Sequence, residues 1–302
     1  RQYELTLLNR LLSNEQSSFV VVNGRRRIGK SRLIAEFAKP YLFYRFTGLA
    51  PFKGSTAQDQ RDEFTRQFRE YFDLPIPGLQ DWGDLFTLLA KQTHRGRVVI
   101  LFDEISWMAD NDPSFLSKLK NAWDNHFTKN TKLILFLCGS VSTWIQENLL
   151  SNTAFLGRPT LHLTVEELPL SECIQFWDKA QDTISFFEQL KFLCVTGGVP
   201  RDLELMNQHE TAENNIRHLF FDKSSALYDE FQKIFNDIYG RKSATYKGII
   251  DHLVTGPANQ DEIVEKMGIA RSGDISEYLD ALILGGFVAR DYTWQPKTGK
   301  VS

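Results

Sequence analysis

One stretch of this chain limits what it can fold into. Val21–Ile34 reads VVNGRRRIGKSRLI, in which Gly24, Gly29, Lys30 and Ser31 satisfy the spacing GxxxxGK[ST]. The β-branched apolar run Phe19–Asn23 precedes it, and a helix-forming run from about Lys30 to Lys39, closed by Pro40, follows it. A glycine-rich turn between a buried strand and a helix directs successive backbone N–H groups around an anion, and the helix N-terminus adds its positive end. The spacing therefore predicts a phosphate-wrapping loop, with Lys30 reaching the β- and γ-phosphates and the Ser31 hydroxyl ligating Mg2+. Out of context, the consecutive Arg25, Arg26 and Arg27 read as a basic patch for nucleic acid. Between Gly24 and Gly29 they instead fill the variable part of a loop whose backbone does the binding. The predicted nucleotide-contacting set is Gly24, Arg25, Arg26, Arg27, Ile28, Gly29, Lys30, Ser31 and Arg32. The arginines' own work stays open between neutralising phosphate, pinning the loop to carboxylates and plain solvation.

The rest of the chain supplies the scaffold such a loop needs. Apolar runs at 19–23, YLFYRFTGL, Arg97–Asp103, Thr131–Ser140 and Thr160–Val165 alternate with helical patterns. One helical segment, STAQDQRDEFTRQFREYF, puts Phe64, Phe68 and Phe72 on one face; another, DPSFLSKLKNAWDNHF, has Pro113 near its first turn. Strands alternating with helices imply an α/β fold, a parallel sheet covered on both faces. After Val165 the pattern turns helical, with a Gly-Gly turn and Pro200 between two helices. From Ser243 it reads as three short helices and a hairpin.

A second motif joins the loop. VVILFDE ends an apolar strand in Asp103 and Glu104. An acid at a strand's carboxyl end can hold Mg2+ through water near a nucleotide, and the next carboxylate can orient and deprotonate an attacking water. Taken alone, the pair equally reads as a solvated turn. At the end of the following strand, Ser140 is the better placed of Ser140 and Ser142 to sense a γ-phosphate; capping a helix is its alternative role. Arg158, in the loop before the fifth strand, has the chemistry to stabilise a transferring phosphoryl group from this copy or a neighbour, or to serve as a surface arginine. The chain carries no NKxD-type guanine motif, which favours ATP over GTP. The six histidines form no metal spacing.

Composition narrows the partners. The formal net charge of −3 supplies no global field toward nucleic acid or anionic lipid, so any such contact is local. Cys138, Cys173 and Cys194 form no CxxC pair, which favours a reduced compartment, and a cytoplasmic location is expected. The apolar runs are too short to span a bilayer, and no secretory signal is read at the start.

Together these segments resemble the prokaryotic P-loop ATPases of the archaeal type, in the STAND branch near AAA+ proteins. The resemblance rests on RQYELTLL, NGRRRIGKSRLI, VVILFDEISWM, LILFLCGS, LGRPTLHLTVEELPLSE and TGGVPRDLELM in this order, and it covers nearly the whole chain. It implies a P-loop ATPase core over 1–165, a helical lid over 166–240 and a winged-helix-like domain over 241–302. It implies ATP and Mg2+ as ligands, with Lys30 and Ser31 on phosphate and metal, Asp103 as the Mg2+ acid and Glu104 as the catalytic base. Arg158 matches an arginine-finger or sensor position. Pro200 matches a proline near the adenine base, and Arg1 the arginine of an N-terminal box near the nucleotide. Arg201 departs from the pattern, since relatives often carry an aromatic residue there. Many relatives continue into a nuclease-like C-terminal domain, so an effector beyond Ser302 is one expectation.

The implied activity is an ATP-operated molecular switch with slow turnover. Two alternatives remain: a DNA-binding initiator whose ATP state sets DNA affinity, and a defence- or toxin-type regulator of a further domain. Winged helices often enter the major groove. Here Lys247, Lys266, Arg271, Arg290, Lys297 and Lys300 face eight acids over 243–302, a net of −2. The recognition-helix position carries Asp274, Glu277 and Asp280, which oppose phosphate contact. Protein docking and self-association are the other partner readings.

Overall fold

A computed structural model describes all residues except 75–80, 141, 178–183, 226, 269–273, 293, 296–299 and 302. The chain folds as two compact units, Arg1–Ile216 and Arg217–Ser302. The division falls within the segment read as a lid.

The first unit is built on a parallel sheet of β1 (Ser18–Asn23), β2 (Leu42–Thr47), β3 (Val98–Asp103), β4 (Leu133–Gly139) and β5 (Leu161–Thr164), in the order β2-β3-β4-β1-β5. Every residue of β1, β3 and β4 is buried, as central parallel strands covered on both faces require. Their side chains alternate between two cores. Phe19, Val21, Phe102 and Leu135 face one core; Val20, Val22, Leu101 and Phe136 face the other.

Helices α1 (Gln2–Arg10) and α2 (Lys30–Ala38) cover the second core through Leu8, Ile34 and Phe37. The first core packs under α3 (Ala57–Phe72), α4 (Trp82–Gln92) and α6 (Phe115–Asn125); the short α5 (Ile105–Met108) follows β3. The phenylalanine face of α3 is core: Phe64 and Phe68 are fully buried and Phe72 partly so, with Phe64 stacked on Phe46 at 4.4 Å. After β4 come α7 (Ser142–Ile145), then α8 (Leu170–Cys173), α9 (Phe186–Thr196), α10 (Pro200–Glu204) and α11 (Ala212–Ile216). Pro200 opens α10 at a position where its missing N–H has no intrahelical partner to lose.

The second unit holds α12 (Glu230–Tyr239), α13 (Ser243–Leu253), α14 (Gln260–Met267), α15 (Asp274–Leu284) and the antiparallel pair β6 (Trp294–Gln295) and β7 (Lys300–Val301). Phe235, Tyr246, Ile249, Ile263, Ile275 and Leu282 form its core. Asp274, Glu277 and Asp280 are exposed on α15. Arg271, Lys297 and the side chains of Lys300 and Ser142 lie outside what is described. Among the described residues no helix is long and apolar enough to cross a membrane.

Candidate active site

Register alone gathers the expected residues. Asn23 at the end of β1 is paired with Gly139, and Asp103 at the end of β3 with Cys138. The residues that follow, Gly24, Ser140 and Glu104, therefore emerge side by side from three adjacent strands about 4.8 Å apart. This is the crevice outside the carboxyl ends of a parallel sheet, where the strand order reverses between β1 and its neighbours.

The loop needs its glycines. A Cβ on Gly24 would meet the Val165 carbonyl oxygen at 2.3 Å, and its φ of 144° is hostile to any side chain. Gly29 has φ 92° and caps α2 in the left-handed conformation. No side chain caps α2, so the N–H groups of its first turn have no intrahelical partner and suit an anion. Arg25 donates to Glu167 Oε1 at 3.1 Å, and the Arg26 guanidinium lies over Trp107, 5.5 Å from the ring centroid. Ile28 is fully buried in the second core and anchors the loop.

Lys30 and Asp103 are only 6% and 2% exposed. The three protons of the Lys30 ammonium match three acceptors: the carbonyls of Gly24 at 2.8 Å and Arg25 at 3.0 Å, and Ser140 Oγ at 3.2 Å. Burial pushes the Lys30 pKa below its ordinary 10.5, while neighbouring Cys138, Glu104 and Asp103 oppose that shift. Ser140 is itself buried, and its hydroxyl donates to Glu104 Oε1 at 2.9 Å. One serine thus links the loop lysine to the second acid. Glu104 holds φ 51° and ψ 54°, a left-handed conformation costing a non-glycine residue about 1–3 kcal/mol and typical of functional sites. Ser31 Oγ donates to Asp103 Oδ2 at 2.8 Å. Burial, then the Asp103 charge, raises the Cys138 thiol pKa well above its usual range.

Two contiguous cavities flank the loop. The smaller, about 350 Å³, is lined by Arg26, Arg27, Lys30, Ser31, Glu104 and Ser140. The larger, about 480 Å³, is walled by Leu5, Ile28, Leu33, Leu168, Phe176 and Pro200. Gly29, Arg32, Pro200 and Glu204 border both. Arg1 lines the larger cavity and donates to the Ile28 carbonyl at 2.8 Å, and Arg32 donates to Glu204 at 2.8 Å. Arg201 also turns to Glu204, at 3.2 Å.

Arg158 is not brought to this cluster. It precedes β5, where Thr160 N–H donates to the Phe19 carbonyl at the amino end of β1. A six-residue strand separates it from Gly24, roughly 20 Å of sheet. There it grips Asp124 with both ends of its fork, at 2.9 and 2.8 Å.

The sequence did not single out Arg45, whose Nη2 donates to Asp103 Oδ2 at 2.6 Å, nor the apolar wall of Leu5, Leu168 and Phe176. A lone charge inside LFYRFT was the available signal for Arg45.

The sequence profile of an ATPase domain found predominantly in Archaea matches residues 1–206. The chain belongs to this family. Residues 1–206 are thus an archaeal-type P-loop ATPase domain. A curated relative from Methanocaldococcus jannaschii, described as an uncharacterized protein, is 26% identical over 301 residues, 96% of this ATPase and 61% of the relative. The chain therefore spans about three-fifths of the length of that relative. Among solved structures, a Walker-type ATPase of Pyrococcus abyssi matches at a TM-score of 0.66 and 15% identity, covering 100% of this chain and 92% of that one. The ORC2 protein of Aeropyrum pernix, in ADPNP–ADP complexes, matches at 0.55 and 14% identity, over 99% and 88% of the two chains. A RuvB variant of Thermotoga maritima matches at 0.51 and 16% identity, over 100% and 90%. At these identities the likenesses speak to fold alone.

Proposed function

We propose that this ATPase is a nucleotide-operated switch that binds ATP with Mg2+ at the loop 24–32 and hydrolyses it slowly. The observation that carries this reading is Ser140, shared between Lys30 and Glu104. A phosphate drawing the Lys30 protons to itself removes them from Ser140 and from two loop carbonyls. The hydrogen bonding of Glu104 then changes with what the loop holds, which gives nucleotide state a route to the acid and to α5 behind it.

Each residue has a definite part in this reading. Lys30 and the uncapped start of α2 bind the β- and γ-phosphates. The hydroxyl of Ser31 and the carboxylate of Asp103 are hard oxygen donors on one spot, a set that fits Mg2+ with its preference for oxygen ligands, phosphates and retained waters. When bound, Mg2+ neutralises charge on the phosphate oxygens. Glu104 orients the attacking water and takes its proton, and Ser140 senses the γ-phosphate. Arg1, Ile28 and Pro200 border the apolar cavity that accepts the adenine end. The Arg32–Glu204 pair and the approach of Pro200 to Gly29 give α10, in the segment read as a lid, a direct contact with the loop.

Replacing Glu104 by Gln keeps the hydrogen bond acceptor but not the base. We expect ATP binding like the parent and hydrolysis lower by roughly 100-fold or more, the usual worth of a general base. Hydrolysis at the parental rate in Glu104→Gln sinks the assignment.

A second reading, a DNA-binding regulator, is favoured by the order of α13, α14, α15 and the β6–β7 hairpin in the second unit, a helix–helix–helix–wing sequence. The exposed acids of α15 weigh against it. Filter binding to duplex DNA at two salt concentrations decides: affinity that falls steeply with salt supports groove or phosphate contact, and no salt-sensitive binding removes it.

A further inference from the structure

Asp103 is held by a cation that neither motif calls for. Arg45 sits on β2, the edge strand beside β3. In their register Arg45 faces Leu101 and Thr47 faces Asp103, so Arg45 and Asp103 share one face of the sheet, two residues apart along the strands. That offset is roughly 7 Å, within an arginine's reach. The contact is made: Arg45 Nη2 donates to Asp103 Oδ2 at 2.6 Å, the same oxygen that accepts the Ser31 hydroxyl at 2.8 Å. The backbone of Arg45 is fixed from the other side, where the Tyr71 hydroxyl donates to its carbonyl at 3.0 Å and accepts its N–H at 3.2 Å. The two partners differ in freedom, since the Asp103 side chain is 3% exposed and that of Arg45 is 46% exposed. One is locked in place; the other has a way out to solvent.

The geometry points to Arg45 as a positioning residue that competes with the divalent cation for Asp103 and so sets how much Mg2+ tight nucleotide binding requires. This rests on the assignment of Ser31 and Asp103 to Mg2+. A buried carboxylate without a partner is strongly unfavourable, and Arg45 supplies that partner when no metal is bound. Ser31 would offer a divalent ion an oxygen lone pair while its O–H goes on donating to Oδ2, and the ion's charge would repel a guanidinium resting on that same oxygen. Arg45 then leaves toward solvent, its long side chain free to swing while Tyr71 keeps its backbone still. The arginine steadies the metal-free loop and weakens the metal's hold on it.

The test uses the full chain, with Arg45→Gln to remove the charge and Arg45→Lys to keep it. A fluorescent ATP analogue is bound across a series of Mg2+ concentrations, and melting is followed without Mg2+ or nucleotide. For Arg45→Gln the half-saturating Mg2+ concentration should fall by about tenfold, as expected when one like charge leaves the neighbourhood of a partly screened cation. Its metal-free melting temperature should fall too. Arg45→Lys should stay closer to the parent than to Arg45→Gln on both readouts. An unmoved Mg2+ curve in Arg45→Gln overturns the proposal, as does a Lys variant that matches the Gln variant. Weakened binding by the same factor at every Mg2+ concentration makes Arg45 a phosphate ligand and also overturns it. A parent chain that binds no nucleotide at any Mg2+ concentration would instead bring down the nucleotide-site reading itself.

Discussion

At the carboxyl ends of β1, β3 and β4, Lys30 and Asp103 are almost wholly buried, whereas at the opposite end of the same sheet Arg158 and Asp124 form an ion pair whose side chains are 25% and 31% exposed. Both ends use lysine or arginine with aspartate, but the settings differ. Arg158 has a matched fork-to-carboxylate partner, and each holds the other charged: the hydrogen bond from Arg158 is first among the causes lowering Asp124, and Asp124 in turn raises Arg158. Nothing need leave for that pair to persist. Lys30 is instead satisfied by two carbonyls of its own loop and a serine, weaker acceptors than a phosphate. A phosphate site calls for this arrangement, because a ligand must be able to outcompete the resident partners.

The sharpest way to break this contrast is Lys30→Met. Losing one partner of a buried, hydrogen-bonded charge contact typically costs about 2 kcal/mol or more, so ATP affinity should drop roughly 30-fold or further. Stability should move the other way or not at all. Burial lowers the folded-state pKa of Lys30, so the unfolded chain binds that proton more tightly. Keeping Lys30 charged therefore weakens the fold at neutral pH, and the penalty fades as pH rises from the folded pKa toward 10.5. Without ligand, Lys30→Met should melt no lower than the parent at pH 7 and should lose the rise in stability at alkaline pH. A variant that binds ATP normally, or that melts well below the parent, contradicts the picture of a lysine held ready for a ligand at the fold's expense.

How much of this was legible beforehand follows from the same physics. The three central strands were readable because burial on both faces demands unbroken apolar runs, and FVVV, VVILF and LILFLC are such runs. The loop was readable because only glycine fits beside the Val165 carbonyl. Helix α4 was overlooked, although Asp81 caps it by accepting from Gly83 N–H at 2.6 Å and Trp82, Leu85, Phe86 and Leu89 follow at helical spacing. Arg45 was beyond sequence reading in a stricter sense. Its contact with Asp103 depends on the register of β2 against β3, which no spacing across 58 residues encodes. The apolar cavity is similar, since Leu5, Leu168 and Phe176 come from separate segments that only the fold joins. From sequence Arg158 reads as a phosphoryl-stabilising group of this copy or of a neighbour, or as a surface arginine, and the sheet's length separates it from its own loop.

That separation yields the mildest expected change. Arg158→Ala should alter ATP affinity by less than about twofold, because roughly 20 Å of sheet lies between the two. Stability should fall by about 1 kcal/mol, the upper end for an ion pair at the surface, since this one is only partly exposed. Any loss of hydrolysis must then come from another copy of the chain, and mixing distinguishes the cases. An Arg158→Ala chain has an intact loop; a Lys30→Met chain has no working loop but keeps its arginine. If Arg158 acts across copies, the mixture hydrolyses ATP faster than the summed rates of the two chains alone. If the mixture gives only that sum and Arg158→Ala hydrolyses like the parent, Arg158 is a surface arginine holding Asp124. Reduced ATP affinity in Arg158→Ala alone would mean that the two ends of the sheet are coupled through β1 and β5, and the contrast between them would have to be redrawn.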